Sequence, residues 1–301
     1  MMPDAASSGI GRFSKQDSKA GWTAVRIGLV VHGHLCDARA YAHRAAALLA
    51  SLGATVLAED GVAAWLTEAT PFSGAAQAPD ALISLGGDGT ILRGVQYALA
   101  WDAPLLGVNL GRKGFLAEIE PQGLEEALGR LIAGDYAIEA RPLLSASFGG
   151  EQWLALNDVV VSRGGYARLI GVTTLVDGQM TGRYLADGVI VATPTGSTGY
   201  SLSAGGPIIA PGVDGMVVTP ICAHSLQHRP CVVGGSAVIR LELDDDEEQT
   251  ASLQVDGQSR AELGAGMAVE IRRSSRSVRF IRVQPEQFFG VVRSKLTEWS
   301  Q

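Results

Sequence analysis

The apolar positions of this chain recur in two rhythms, and the change falls near residue 140. Before it, short apolar runs are separated by stretches with helical spacing. Val25 to Val31 alternates and then runs apolar, which predicts a buried strand. Asp37 can cap a helix reaching Ser51, with Tyr41, Ala45, Leu48, Leu49 and Leu52 recurring on one face and Gly53 ending it. Ala54 to Ala58 predicts a second strand; residues 70–79, with Pro71, Gly74 and Pro79, predict a loop. Ala81 to Leu85 then predicts a strand, Thr90 to Ala100 a helix, Leu105 to Val108 a strand after Pro104, and Leu124 to Ile132 a helix closed by Gly134. Strands alternating with helices imply right-handed crossovers, hence an α/β N-terminal domain with an open, mostly parallel sheet.

Beyond residue 140 helical spacing nearly disappears. Short β-rich runs are punctuated by Gly149-Gly150, Asp177-Gly178 and Asp256-Gly257, pairs suited to tight hairpin turns. The pattern predicts a β-rich C-terminal domain. Asp244 to Glu248 reads as a solvated loop, and Arg272, Arg273, Arg276 and Arg279 as the solvated face of a strand. Phe288-Phe289 and Trp299 suggest that the end of the chain packs on the first domain. The expected organisation is a mobile tail at 1–23, an α/β domain at 24–139, a β-rich domain at 140–276 and a returning segment at 277–301.

Composition narrows the function classes. The chain has 301 residues, 47% of them hydrophobic and 18% charged, which marks it as globular and long enough for two cores. A net charge of −7 argues against a general nucleic-acid binder. Cys36, Cys222 and Cys231 are distant and odd in number, so neither a disulfide framework nor a zinc spacing is expected, and a reducing, cytoplasmic setting is the simpler reading. No run approaches the roughly 18 apolar residues of a membrane span, and residues 1–23 lack the apolar core of a signal peptide.

Chemistry gathers at strand ends. Gly86-Gly87-Asp88-Gly89-Thr90 joins a strand to a helix, an arrangement in which backbone approaches phosphate closely and the helix offers unpaired N–H groups. A carboxylate would repel phosphate, so Asp88 reads as a metal ligand, as a base for a hydroxyl that attacks phosphorus, or as a helix cap in a plain turn. His32-Gly33-His34 and Asn109 to Leu116, with the basic pair Arg112-Lys113, fall at the same ends of neighbouring strands, where open α/β sheets bind ligands. In the second half, Asn157-Asp158 offers groups for an adenine edge and sugar hydroxyls, or forms a turn. Asp187 to Ala192 leads into a segment rich in Gly, Ser and Thr that reaches Pro207; its hydroxyls and close backbone suit a ligand with phosphates and riboses. His224-Ser225-Leu226 with Arg229-Pro230, and a hairpin turn at Asp256-Gly257-Gln258, complete the set.

Taken together these stretches resemble the NAD kinase family over roughly residues 25–295. Gly86 to Thr90 alone is shared with diacylglycerol and sphingosine kinases, whereas the stretch 187–207 is specific. The resemblance implies transfer of the ATP γ-phosphoryl group to the 2′-hydroxyl of the adenosine ribose of NAD, giving NADP. It implies Mg²⁺ or another divalent ion, with metal ligands unknown, and a homodimer or homotetramer. By the same analogy Asp88 is the proton acceptor and Gly89 lines its site, with Arg93 near the dinucleotide. Asn157 and Asp158 hold base and ribose, with Arg168 and Asp187 beside them. Thr198, Gly199, Tyr200, Ser201, Leu202, Ser203 and Gln258 complete the NAD site.

Two positions depart from the commonest family pattern. Gly199 replaces the usual Ala, and Leu185 stands where many members have Arg, a position that bears on NAD versus NADH. Two alternatives share part of the pattern. A lipid kinase of the diacylglycerol type would explain 86–90 but not 187–207, and would favour a membrane-facing patch for which the acidic chain gives no signal. A silent NADP-binding sensor would keep 187–207 but should have lost Asp88.

Overall fold

The structure, a computed structural model, describes residues 25–33, 36–111, 114–164, 168–224, 229–246, 249–284 and 288–298. The tail at 1–23, His34, Arg112-Lys113, Ser225-Leu226 and Trp299, all singled out above, lie outside the described residues. The chain divides into two compact units: the described residues up to Ala140 together with those from Val278 onward, and Arg141–Ser277.

The first unit is a parallel sheet with helices. Arg26–Val31, Thr55–Ala58, Ala81–Gly86 and Leu105–Asn109 are its principal strands, and every pairing among them is parallel. All six residues of Ala81–Gly86 and all five of Leu105–Asn109 are buried, as expected of strands covered on both faces. Helix Cys36–Ser51 buries Ala38, Ala42, Ala45, Ala46 and Leu49 at helical spacing against a core that includes Ile27, Leu29 and Ile83. Helix Asp88–Trp101 approaches the sheet closely at Gly94, where a Cβ would lie 3.2 Å from the Leu105 side chain. Helix Leu124–Ala133 ends on Gly134 in the left-handed region, φ 72°.

Residues 70–79 are not wholly a loop. Thr70–Pro71 adds a two-residue parallel strand beside Leu57 and Ala58. Pro71 lacks an N–H, so it suits only an edge, and the hydrophobic pattern of two residues is too short to read. Phe72, next in the chain, meets Tyr97 and Trp101 edge-on at 5.0 and 4.9 Å, which fixes the segment through aromatic packing.

The returning segment also belongs to this unit. Phe280 pairs in parallel with Leu105. Arg282 bonds Glu118 at 3.1 Å and also Glu139, while the Glu118 carboxylate accepts the backbone N–H of Val283 at 2.6 Å.

The second unit contains two antiparallel sheets. One runs in the order Cys231–Gly234, Gly215–Ile221, Gly188–Ala192, Asp158–Arg163, Thr250–Val255, Gln258–Gly264. The other includes Gln179–Ala186, Ile170–Val176, Val238–Leu243 and the part of Ala268–Arg282 up to Ser277. Val159, Val161, Val189, Val191, Leu253 and Val255 face one core with Val172, Ile239, Leu241, Val269 and Ile271. The alternate residues Val160, Ile190, Ala192 and Val217 face a smaller core with Ile209. The pairs Gly149-Gly150, Asp177-Gly178 and Asp256-Gly257 all have φ between 47° and 85°, the geometry of twisted two-residue hairpin turns.

Candidate active site

In the first unit the sheet ends in adjacent loops. The N–H of His32 donates to Leu85 and that of Leu110 to Gly86, at 2.9 and 3.1 Å, so the segments after three strands are tied to one another. Gly86 has no room for a side chain: a Cβ would come within 2.3 Å of Thr90 Oγ1. Gly87 is the N-cap of helix Asp88–Trp101, which sets aside the reading of Asp88 as the cap.

The Asp88 carboxylate instead crosses to the next loop. Its Oδ2 accepts the backbone N–H of Phe115 at 3.0 Å and its Oδ1 that of Leu116 at 3.2 Å. Gly114 makes the approach feasible, because a Cβ there would lie 1.9 Å from Asp88 Oδ1. A carboxylate has about four acceptor positions, so two amides orient Asp88 and leave acceptor capacity for a ligand. Gly89, next to it, is exposed. Arg93 is held from below: Nε meets Glu59 Oε1 at 2.8 Å, and Nη2 donates to the carbonyl of Val31 at 2.6 Å. Glu59 also accepts the N–H of Val31, so one carboxylate anchors both the arginine and the strand end.

In the second unit Asn157 precedes, and Asp158 opens, the strand Asp158–Arg163 that runs beside Gly188–Ala192. Asn157 is half-buried and Asp158 buried. Burial first, and the charge of Asp256 second, push the Asp158 carboxyl up to about 7. Asp256 is raised by burial too, against the opposing effect of three backbone N–H donors and Arg260. Asp187 pairs with Arg163 at 2.9 Å, and Arg168 is exposed on the loop between Asp158–Arg163 and Ile170–Val176.

The Gly/Ser/Thr-rich segment behaves differently from its sequence reading. Most of its hydroxyls are buried and bond protein groups, within the segment or on neighbouring strands and loops. Thr193 Oγ1 donates to the carbonyl of Leu156 at 2.6 Å, Ser197 Oγ to that of Pro194 at 2.6 Å, and Thr198 Oγ1 to that of Thr195 at 3.1 Å. Ser201 Oγ bonds Thr219 Oγ1 at 2.8 Å. These hydroxyls build the loop, because a tight run with buried backbone must satisfy its own polar groups. The exposed positions are Gly199, Tyr200, Ser203, Gly205 and Pro207, with Leu202 half-buried. At Gly199 a Cβ would stand 3.4 Å from the nearest atom, an ordinary contact, so an Ala fits there as well. Gln258 is exposed and accepts a bond from Arg260 at 2.7 Å.

One group to which sequence reasoning gave no role of its own is Asp256, read as part of a hairpin turn within the family resemblance. Its carboxylate accepts three successive backbone N–H groups, those of Leu156, Asn157 and Asp158. No sequence signal marks a contact of that kind beyond the acidic residue itself. Among the described residues, no group of three or more His, Cys, Asp or Glu could hold a metal ion, and no helix is long and apolar enough to cross a membrane.

A glycine turn at a helix start beside an oriented carboxylate fits the class of nucleotide-binding phosphotransferases. Family models sharpen this: that of the ATP-NAD kinase N-terminal domain matches residues 27–136, and that of the C-terminal domain matches residues 156–283. The chain belongs to the NAD kinase family. It is 42% identical over 246 residues to an NAD kinase of Gemmatimonas aurantiaca, covering 80% of this chain and 82% of that one. It is 43% identical over 225 residues to one of Desulforamulus reducens, covering 73% and 78%. Among solved structures it resembles a yeast NADH kinase complexed with NADH, with TM-score 0.80, 25% identity and coverage of 91% and 88%. An NAD kinase from Archaeoglobus fulgidus in complex with ATP gives TM-score 0.71 and 28% identity, covering 90% and 99%. The lipid-kinase alternative is thereby set aside.

Proposed function

We propose that this chain transfers the γ-phosphoryl group of ATP to the 2′-hydroxyl of the adenosine ribose of NAD, forming NADP. The observation that carries this reading is Asp88, whose carboxylate is oriented by the amides of Phe115 and Leu116 at the start of a helix. A ribose hydroxyl is a poor nucleophile, and a positioned carboxylate takes its proton as it attacks phosphorus. The exposed Gly89 leaves the helix N-terminus open to an anion. Arg93, held by Glu59 yet partly exposed, supplies positive charge nearby.

Asn157 and Asp158 hold base and ribose, with Asp187 and Arg168 beside them and Gln258 completing the set. Tyr200 and Ser203 face the dinucleotide, as does the backbone at Gly199 and Leu202. Thr198 and Ser201 shape that surface through their internal bonds.

The donor chemistry fits Mg²⁺ or another divalent ion arriving with ATP, since such ions are held largely through substrate phosphates and water rather than by a dedicated protein cage. When bound, the ion neutralises phosphate charge. Sparse, odd-numbered cysteines support a cytoplasmic setting, and the family resemblance supports a homodimer or homotetramer.

The test is direct. Incubation with ATP, Mg²⁺ and NAD should yield NADP, detected with an NADP-specific dehydrogenase. Dinucleotide binding with no NADP formed would indicate a silent sensor instead.

A further inference from the structure

We infer that Asp256 is a positioning residue for dinucleotide binding, acting through the backbone of the Asn157-Asp158 segment. The inference rests on the reading above that Asn157 and Asp158 hold NAD. Asp256 lies in the hairpin turn between strands Thr250–Val255 and Gln258–Gly264, far from residue 157 in sequence. Its Oδ2 accepts the N–H of Leu156 at 2.8 Å; its Oδ1 accepts those of Asn157 at 2.7 Å and Asp158 at 3.2 Å. The N–H of Asp256 in turn donates to the carbonyl of Asp158 at 3.0 Å.

The same three residues are gripped from the other side. The carbonyl of Leu156 accepts from Thr193 Oγ1, and that of Asn157 from the N–H of Thr193 at 2.9 Å. Thr193 Oγ1 also accepts the N–H of Gly196 at 3.0 Å. At Gly196 a Cβ would fall 2.0 Å from the carbonyl oxygen of Asn157, so the two backbones touch. Every polar backbone atom from the N–H of Leu156 to the carbonyl of Asp158 therefore has a partner in Thr193, Asp256 or the adjoining strand. Three successive amides facing one carboxylate orient the peptide planes, and with them the Cα–Cβ directions of Asn157 and Asp158. Charge-assisted bonds of this kind are about twice as strong as neutral ones.

A further feature argues that Asp was selected by more than the turn. The position has φ 47°, which Gly and Asn satisfy as readily as Asp. Asn would keep the turn but offer one acceptor oxygen where three amides converge. Gly would keep the turn and offer none.

The test compares Asp256→Asn, Asp256→Gly and Asn157→Ala with wild type in steady-state NAD kinase assays, and measures NAD binding by calorimetry. Asp256→Asn should raise KM and Kd for NAD about tenfold, the scale of a lost bond to a charged group. The KM for ATP and the kcat at saturating NAD should stay within about twofold. Asp256→Gly, which removes any strain at the turn, should show the same split and so stands in if the Asn variant fails to fold. A fall in thermal stability with an unchanged KM for NAD in either variant would overturn the proposal and leave Asp256 a structural turn residue. Equal losses in the NAD and ATP parameters would overturn it as well. Asn157→Ala separates the two readings. If it raises the KM for NAD while the Asp256 variants do not, only the positioning proposal fails; if it has no effect, the assignment of the NAD site fails, and the proposal with it.

Discussion

Leu185 carries an expectation about the choice between NAD and NADH. It is 49% exposed on strand Gln179–Ala186, and its carbonyl accepts the N–H of His224 at 2.9 Å. An aliphatic side chain there cannot offer the planar donor fork of an arginine. The expected outcome is weak discrimination between NAD and NADH, sharpened by Leu185→Arg. Comparing kcat/KM for both substrates in the two proteins checks this, and an unchanged ratio would contradict it. Asp158 carries a second expectation. Its carboxyl holds a proton up to about 7 in the folded chain, against an ordinary 3.8. The folded state therefore binds the proton where the unfolded state has lost it, and stability from this group declines as pH rises from about 4 to about 7, by at most about 4 kcal/mol. Asp158→Asn should flatten that decline in melting temperature relative to wild type; parallel curves would argue against it. Asp88, Asn157 and Asp158 could be picked out from short motifs. The contacts of Asp256 could not, because its partners lie 98 to 100 residues away in the chain and a turn signal says nothing of what a turn carboxylate meets.

The strand–turn–helix at 81–101 was legible because its ingredients are local: an apolar run, glycines and a helical period. Its tie to the loop after Leu105–Asn109 was not, since only the fold brings Phe115 and Leu116 to Asp88. Gly114 tests that tie. A methyl group at 114 would displace Asp88 Oδ1, which is the end of a short side chain and can swing aside without unfolding the loop. Gly114→Ala should thus keep its melting temperature within a few degrees yet lose kcat by about 100-fold, the scale of a 1 Å misplacement. Near-normal kcat would show that Asp88 does not need this anchor. The Gly/Ser/Thr segment marks the opposite limit. Its composition signals a polar loop, but composition cannot tell hydroxyls aimed at a ligand from hydroxyls that hold the loop together, and it does not show that Thr193, Ser197, Thr198 and Ser201 each bond a protein group.

For the whole molecule, the change from helical to alternating rhythm was enough to predict an α/β part followed by a β-rich part, because each rhythm reports which faces of its elements are buried. The two-residue strand at Thr70–Pro71 and the pairing of Phe280 with Leu105 escaped it, being set by tertiary contacts rather than by period. Family membership then leaves one question of mechanism, the role of Asp88. Asn is nearly isosteric with Asp and cannot take a proton at neutral pH. If Asp88 is the base, Asp88→Asn should fold, bind NAD, and lose about 10²- to 10⁴-fold in kcat. A lost metal ligand would instead raise the Mg²⁺ requirement, and excess Mg²⁺ would restore rate. The decisive measurement is a Mg²⁺ titration of the NAD kinase rate for wild type and Asp88→Asn. A variant with an unchanged Mg²⁺ midpoint and a low rate at every concentration agrees with the account; near-wild-type kcat at saturating Mg²⁺ contradicts it.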